Sequence, residues 1–393
     1  MSHFNIVFRL RQHTPLIHFQ SDQPGATIRA TELKPKLDRF LIRYAFKEQE
    51  ERYRDYLITP DKPALDYKIR IVARKNRIVD LQKFKSYFGN MGKKPHDPEY
   101  RKAVFSSGIE VSVFSYNTEL IEQIEAFFAS FLSVENFGTR QSKGFGSFYL
   151  DPSDLHYVPV RDALAKTAQQ YIYGCYPGAD PETVLNQVEV IYPLMKTGIN
   201  YPDLSKKEIT DKKGKKRKVP DHEAGRGANA SYYRSFLFRY MYDRYGAGNE
   251  KRFIKERFFS PCLRIDDDGN QKYYVRALLG TADGVTFRDK RKGTIHYTHD
   301  EVKRFKSPLT FKIVDACLYI IAHDNTLILD KTFTFSDDYG HEKIIQTPSE
   351  FDLYDFLIAF AEDFNDLKVA QPKNIFDKKI LQAQKATLKR GEE

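Results

Sequence analysis

Phe4, Ile6, Phe8 and Leu10 alternate with Asn5, Arg9 and Arg11, and this period of two commits residues 4–12 to a strand with one buried face. The patterns that follow restrict the fold further. Pro35 suits the first turn of a helix, with Leu37, Phe40, Leu41 and Tyr44 on one face. Residues 67–73 and 109–114 read as strands, separated by a glycine-, proline- and lysine-rich stretch over 84–107 that predicts a long irregular loop. Asn117 or Thr118 can cap the next helix. There Leu120, Ile121, Ile124, Phe127, Phe128, Phe131 and Leu132 form one stripe, and Glu119, Glu122 and Glu125 the other. A glycine-rich segment, residues 137–146, leads into a fourth strand over 147–150. The order is β-α-β-β-α-β, the split βαβ or ferredoxin-like arrangement, with both helices on one face of a four-stranded sheet.

Beyond residue 150 the periods are weaker. Helices are expected over 160–173, 181–190 and 229–245, and strands over 272–279, 308–314, 317–322 and 331–335. Ser349 is placed to cap a long helix carrying Phe351, Leu353, Phe356, Leu357, Phe360 and Phe364. The pattern predicts an α+β protein of two domains: 1–155, then 156–367 with a mobile basic loop over 205–219, then a polar tail over 368–393 that docks little.

Net charge is +10, and the excess is uneven: residues 1–150 carry +7 and residues 206–304 carry +11, so the remainder is acidic. Two basic regions on an acidic frame suit a polyanion such as RNA, although a merely solvated basic surface has the same composition. No run reaches the ~20 apolar residues of a membrane span, and no secretory leader precedes the first strand. Cys175, Cys262 and Cys317 lie far apart without a C-x-x-C pair, which argues against both a zinc ribbon and a disulfide framework. A cytoplasmic, reducing setting with no membrane contact is the expectation.

The glycine-rich segment is the main candidate for chemistry. Gly138, Gly144 and Gly146 permit left-handed backbone and close approach, while Thr139, Arg140, Ser142 and Lys143 supply donors and charge for a phosphodiester. It lacks the Gly-Lys-Ser/Thr ending of a nucleotide-binding loop. On the first helix Lys36, Arg39, Arg43 and Lys47 recur at i, i+3, i+7 and i+11, with Arg29 and Lys34 just upstream. This is a phosphate-tracking stripe or a solvated helix face. Lys215, Lys216, Arg217 and Lys218 end a run with no apolar anchor. His13 and His18 flank Thr14-Pro15 and could serve acid–base RNA cleavage or be structural. His296 and His299 lack the glutamate and helical spacing of a zinc site, and Asp266–Asn270 fits a hairpin turn better than a calcium loop. No metal or cofactor is implied.

These segments together resemble the RAMP superfamily of CRISPR proteins, and within it the family of the first RAMP subunit of the type III-B (Cmr) effector complex. Thr14-Pro15-Leu16-Ile17 is similar to that family's opening signature. Residues 33–43 resemble its lysine-then-arginine helix, and residues 137–147 resemble its Gly-x-x-Arg-x-x-x-Gly-Phe-Gly-Ser loop. A fourth, thinner match is residues 304–309, similar to the Ser-Pro-Leu segment of the family's second RAMP domain. His18-Phe19 stands where the family has glycines, and Leu41-Ile42 replaces a tryptophan pair. The resemblance implies two ferredoxin-like domains. It also implies a structural, non-enzymatic subunit that binds guide RNA and its target RNA near the guide 3′ portion, beside other RAMP subunits. A metal-independent RAMP endoribonuclease using His13 or His18, and an adaptor that touches only protein, are the competing expectations.

Overall fold

The computed structural model describes residues 4–18, 26–80, 102–201, 206–210, 216–220, 230–248, 250, 253–254, 272–281, 287–289, 293–298, 305–337 and 340–391. The chain divides into two compact units, Met1–Val188 with Leu309–Ala322 and Lys389–Glu393, and Glu189–Pro308 with His323–Leu388. The expected division at residue 155 does not coincide with this one, because a later sheet draws remote strands back into the first unit.

In the first unit β1 (Asn5–Gln12) buries every second residue, as its alternation requires. It pairs antiparallel with β3 (Lys102–Phe114), setting Phe8 opposite Val111, while β2 (Lys68–Asp80) lies beyond β3 and the short β4 (Phe148–Leu150) on the other side. The sheet order is therefore β2-β3-β1-β4. Both β2 and β3 are longer than expected. Residues 102–107 form ladder, not loop, since pairing continues to Asp80↔Lys102. The far half of β2 is mostly exposed, so it carries no hydrophobic period to read. Residues 84–101 of the expected loop lie outside the described residues.

Helix α1 (Ala30–Phe40) starts a turn earlier than Pro35 suggested, anchored by the buried Leu33, Leu37 and Phe40, and runs on as a π-helical turn over Leu41–Ala45. Pro35 is exposed, so its missing N–H is tolerated inside the helix. Helix α2 (Thr118–Val134) is capped by Asn117, whose Oδ1 accepts from the Leu120 amide at 3.1 Å.

A second sheet follows in the same unit, ordered β12 (Leu309–Val314), β13 (Cys317–Ala322), β5 (Tyr171–Cys175), β16 (Lys389–Arg390). With β5 counted first, this repeats the order of the first sheet. The helix expected over 160–173 is instead α3 (Val160–Ala165) followed by β5. Ala168 turns left-handed between them, and the aromatic, β-branched Tyr171-Ile172-Tyr173 is buried on both faces. Cys175 and Cys317 stand directly opposite in the β5–β13 register and form a disulfide. This corrects the expectation that the cysteines stay unpaired: 142 residues separate them in sequence, and only the sheet brings them together.

In the second unit α4 (Pro181–Lys196), which begins in the first, runs six residues beyond its expected end. β6 (Ile199–Tyr201) pairs with β9 (Ser231–Tyr233), so the helix expected from 229 begins only at α5 (Phe236–Tyr245), capped by Ser235. The strand expected over 272–279 is a 3-10 helix at Val275–Leu279. A sheet runs β10 (Phe287–Asp289), β11 (Gly293–Thr298), β14 (Thr332–Asp337), β15 (Glu342–Gln346). α6 (Leu353–Asp366) is capped by Asp352 rather than Ser349, its carboxylate accepting from the Tyr354 and Asp355 amides at 2.9 Å. Arg239 binds Asp363 through two bonds of 2.7 and 2.6 Å.

Two further expectations are corrected here. The segment after Lys368 docks: α7 (Ile375–Ala383) buries Ile380 and Ala383, and Leu388 exchanges two bonds with the Asn365 side chain. Its buried apolar residues are few, so a lysine- and glutamine-rich composition hides them. Part of the basic loop is also ordered, as β7 (Lys206–Thr210) and β8 (Lys216–Pro220) form an antiparallel hairpin with Glu208 opposite Lys218. Ladder bonds satisfy the backbone there. Residues 211–215, including Lys215, lie outside the described residues, as do Asp266–Asn270.

Candidate nucleic-acid interface

The loop between α2 and β4 is shaped by backbone that turns left-handed four times, at Gly138, Arg140, Gly144 and Gly146. A Cβ at Gly146 would stand 1.9 Å from the Phe137 carbonyl oxygen, so no other residue fits without moving the chain. The folded loop spends several donors on the protein itself. The Gly138 amide donates to Glu32 Oε1 at 2.7 Å, Thr139 to the Ile17 carbonyl at 2.7 Å, and Gly146 to the Pro15 carbonyl at 2.9 Å. Thr14 Oγ1 donates to the Gly144 carbonyl at 2.6 Å and accepts from the Ser147 amide at 2.8 Å. Thr14-Pro15-Leu16-Ile17 is thus the strut against which the glycine loop closes. At about 1 kcal/mol net for each bond, the loop is a packed part of the unit.

The candidate cations divide into two groups. Lys34 Nζ bonds Asp38 at 2.8 Å and the Leu65 carbonyl at 2.9 Å, and lies 4.3 Å from the Tyr67 ring centre. Burial raises the Asp38 carboxyl, and the hydrogen bond from Lys34 works against that rise. Lys36 Nζ, with its side chain 12% exposed, reaches Gln141 Oε1 at 2.6 Å, the Asn136 carbonyl at 2.5 Å and Glu135 Oε2 at 3.1 Å. Lys143 points its enclosed Nζ toward Phe311, 5.9 Å from the ring centre. Arg39 and Arg43 are exposed on the next turns of the same helix, and Arg29, Thr139, Arg140 and Ser142 are half-buried. Lys47 leaves the stripe, since its backbone turns left-handed after the π-helical segment. The structure therefore brings α1 and the glycine loop together through Lys36, with an exposed arginine pair beside them.

The family model of the Cmr1 N-terminal domain matches residues 3–199, and that of the Cmr1 C-terminal domain matches residues 232–382. The chain belongs to the Cmr1 family. It is accordingly a RAMP-like subunit of the type III-B Cmr complex, a multi-subunit CRISPR assembly. A solved structure, Cmr1 from Pyrococcus furiosus in its apo form, is similar at 11% identity and a TM-score of 0.43, covering 99% of this chain and 98% of that one. No curated protein sequence matches the chain.

His13 of this Cmr1-family chain is buried, and its Nδ1 accepts the Asp315 amide at 3.0 Å. Burial, with Lys312 and Arg11 nearby, lowers its pKa to about 3, so the ring is neutral and its 3.7 Å approach to Asp315 Oδ1 is not an ion pair. His18 holds its Nε2 2.6 Å from the Ala26 carbonyl. Lys216, Arg217 and Lys218 lie on β8, opposite Thr210, Ile209 and Glu208 in register. Among the described residues no group of three or more His, Cys, Asp or Glu could hold a metal, and no helix is long and apolar enough to cross a membrane.

Sequence reading missed one residue of the Cmr1 loop's foundation. Lys312 is wholly buried in β12, with Nζ donating to the Glu135 and Phe148 carbonyls at 2.8 Å each, at both ends of the loop segment. Burial pushes its ammonium well below the usual lysine range. The available signal was a lone lysine inside Leu309-Thr-Phe-Lys-Ile-Val314, where every other position suits a core strand.

Proposed function

We propose that this Cmr1-family chain is a non-catalytic RNA-binding subunit that holds the guide RNA and its target duplex near the guide 3′ portion. We read the two four-stranded sheets of the first unit as RAMP, ferredoxin-like platforms, a reading supported by their shared strand order. The observation that carries the RNA contact is the exposed Arg39–Arg43 pair, one and two turns beyond the lysine that ties α1 to the glycine loop. Arginine is suited to phosphate by its planar fork of donors, and it reads backbone rather than base. Arg29, Arg140, Thr139 and Ser142 extend this surface, while Lys34, Lys36 and Lys143 set its shape. Against an endoribonuclease stands the state of His13, which is enclosed, neutral and already accepting a backbone hydrogen bond.

Binding of labelled single-stranded and duplex RNA across a salt series tests this reading. Affinity should fall with log salt at a slope near −0.7 per neutralised phosphate on a single strand. A flat response would mark a protein-only adaptor. Discrete cleavage of repeat RNA in EDTA would mark a metal-independent nuclease.

A further inference from the structure

Strand β1 is covered unevenly on the side away from β3. β4 pairs only with Leu10, Arg11 and Gln12. Arg9 is closed off next to it: its carbonyl accepts from the Asp151 amide at 2.8 Å, and its own amide donates to Asp154 Oδ2 at 2.6 Å. Backbone groups alternate sides along a strand, so the N–H and C=O of Asn5 and Val7 point the same way as those of Arg9. Among the described residues, no backbone group meets them there. The open edge carries neither proline nor lysine, the residues that usually guard one.

This edge lines a groove of about 670 Å³ together with Glu122 and Glu125 of α2, Leu155 and His156. His156 is already engaged, with Nδ1 2.9 Å from Asp154 and Nε2 3.3 Å from Glu125. Glu122 and Glu125 are exposed, as are the apolar Leu155 (84%) and Val7 (40%). Carboxylates in this position repel phosphate, which separates the groove from any RNA surface. A row of open N–H and C=O groups is complemented by extended backbone, not by a helix.

We infer that the β1 edge receives an extended segment of a neighbouring subunit of the Cmr complex by strand addition, with lysine or arginine side chains directed at Glu122 and Glu125. The inference rests on membership of that complex and not on the RNA reading. Docking of this kind fixes a subunit's orientation through main-chain bonds, while the acidic flank selects a basic strand.

The complex reconstituted from its own subunits, compared with the isolated chain by hydrogen exchange, tests the assignment. The Val7 amide should exchange at least tenfold more slowly in the complex, whereas Ile6 and Phe8 are protected by β3 in both states. Val7→Pro deletes the outward N–H and no donor to β3, while its ring also restricts φ; in the folded variant assembly should weaken at least tenfold with RNA affinity retained. Glu122→Lys with Glu125→Lys should do the same without touching the backbone. Unchanged Val7 exchange on assembly, or wild-type assembly by the double charge reversal and Val7→Pro alike, would overturn the proposal. Val7 protection that rises with concentration of the isolated chain would also overturn it, because the occupant would then be a second copy.

Discussion

The ammonium of Lys36 donates to Oε1 of Gln141 across 2.6 Å and 105 residues of chain, joining α1 to the glycine loop. The lysine stripe on this helix is thereby split by task. Its first member holds the loop, and the arginines after it face solvent.

Lys36→Ala should therefore act first on stability. A largely enclosed cation would leave behind Glu135, Gln141 and the Asn136 carbonyl, a loss of roughly 2–4 kcal/mol. Chemical denaturation of the variant should show a lowered midpoint, and any loss of RNA affinity should accompany it.

Arg39→Ala with Arg43→Ala should behave in the opposite way. Both side chains are exposed on a formed helix, so the melting temperature should stay within about a degree. RNA affinity should fall by about 1–3 kcal/mol, and the salt slope should lose roughly 0.7 for each phosphate released. Unchanged affinity at physiological salt would reject the arginine pair as a contact.

The loop glycines should rank by the space around them. At Gly146 an added Cβ meets backbone 1.9 Å away, and at Gly144 it meets the methyl ends of Ile313 and Leu185 at 2.9 and 3.0 Å. Gly146→Ala should thus destabilise more than Gly144→Ala, with both carrying about 1–2 kcal/mol of left-handed strain. Equal melting temperatures for the two variants would contradict this ranking.

Acid should weaken the fold through His13. Its folded pKa, about 3, lies below the ordinary 6.5, so the unfolded chain binds the extra proton as pH falls. The stabilisation is whole above pH 6.5 and is lost progressively from there toward pH 3, reaching roughly 2 kcal/mol at pH 5. Urea midpoints measured between pH 7 and 5 should fall in the wild type and fall less in His13→Gln.

Thiol titration checks the β5–β13 register. The denatured, unreduced chain should show one reactive thiol, Cys262, and the reduced chain three. Reduction should cost about 2–4 kcal/mol, because the bridge closes a long stretch of chain.

What the sequence determined by itself is what neighbouring residues decide together. β1 and α2 were legible because each carries a strong period, two in Phe4–Leu10 and near 3.6 in Leu120–Leu132, and burial follows that period residue by residue. The strands at 309–314 and 317–322 were legible for the same reason, and the glycine spacing marked a specialised loop. Tertiary structure alone decided the rest. β5 gains its partners from β13 and β16, more than 140 and 200 residues away, and its aromatic run fits a helix or a strand until they arrive. The same pairing makes the Cys175–Cys317 bridge. Whether a lysine presents charge or hides it, as Lys36 and Lys312 do and Arg39 does not, depends on which carbonyls and carboxylates the fold brings within 3 Å. No local pattern holds that information, since the partners are distant in sequence and a long flexible side chain can reach either way.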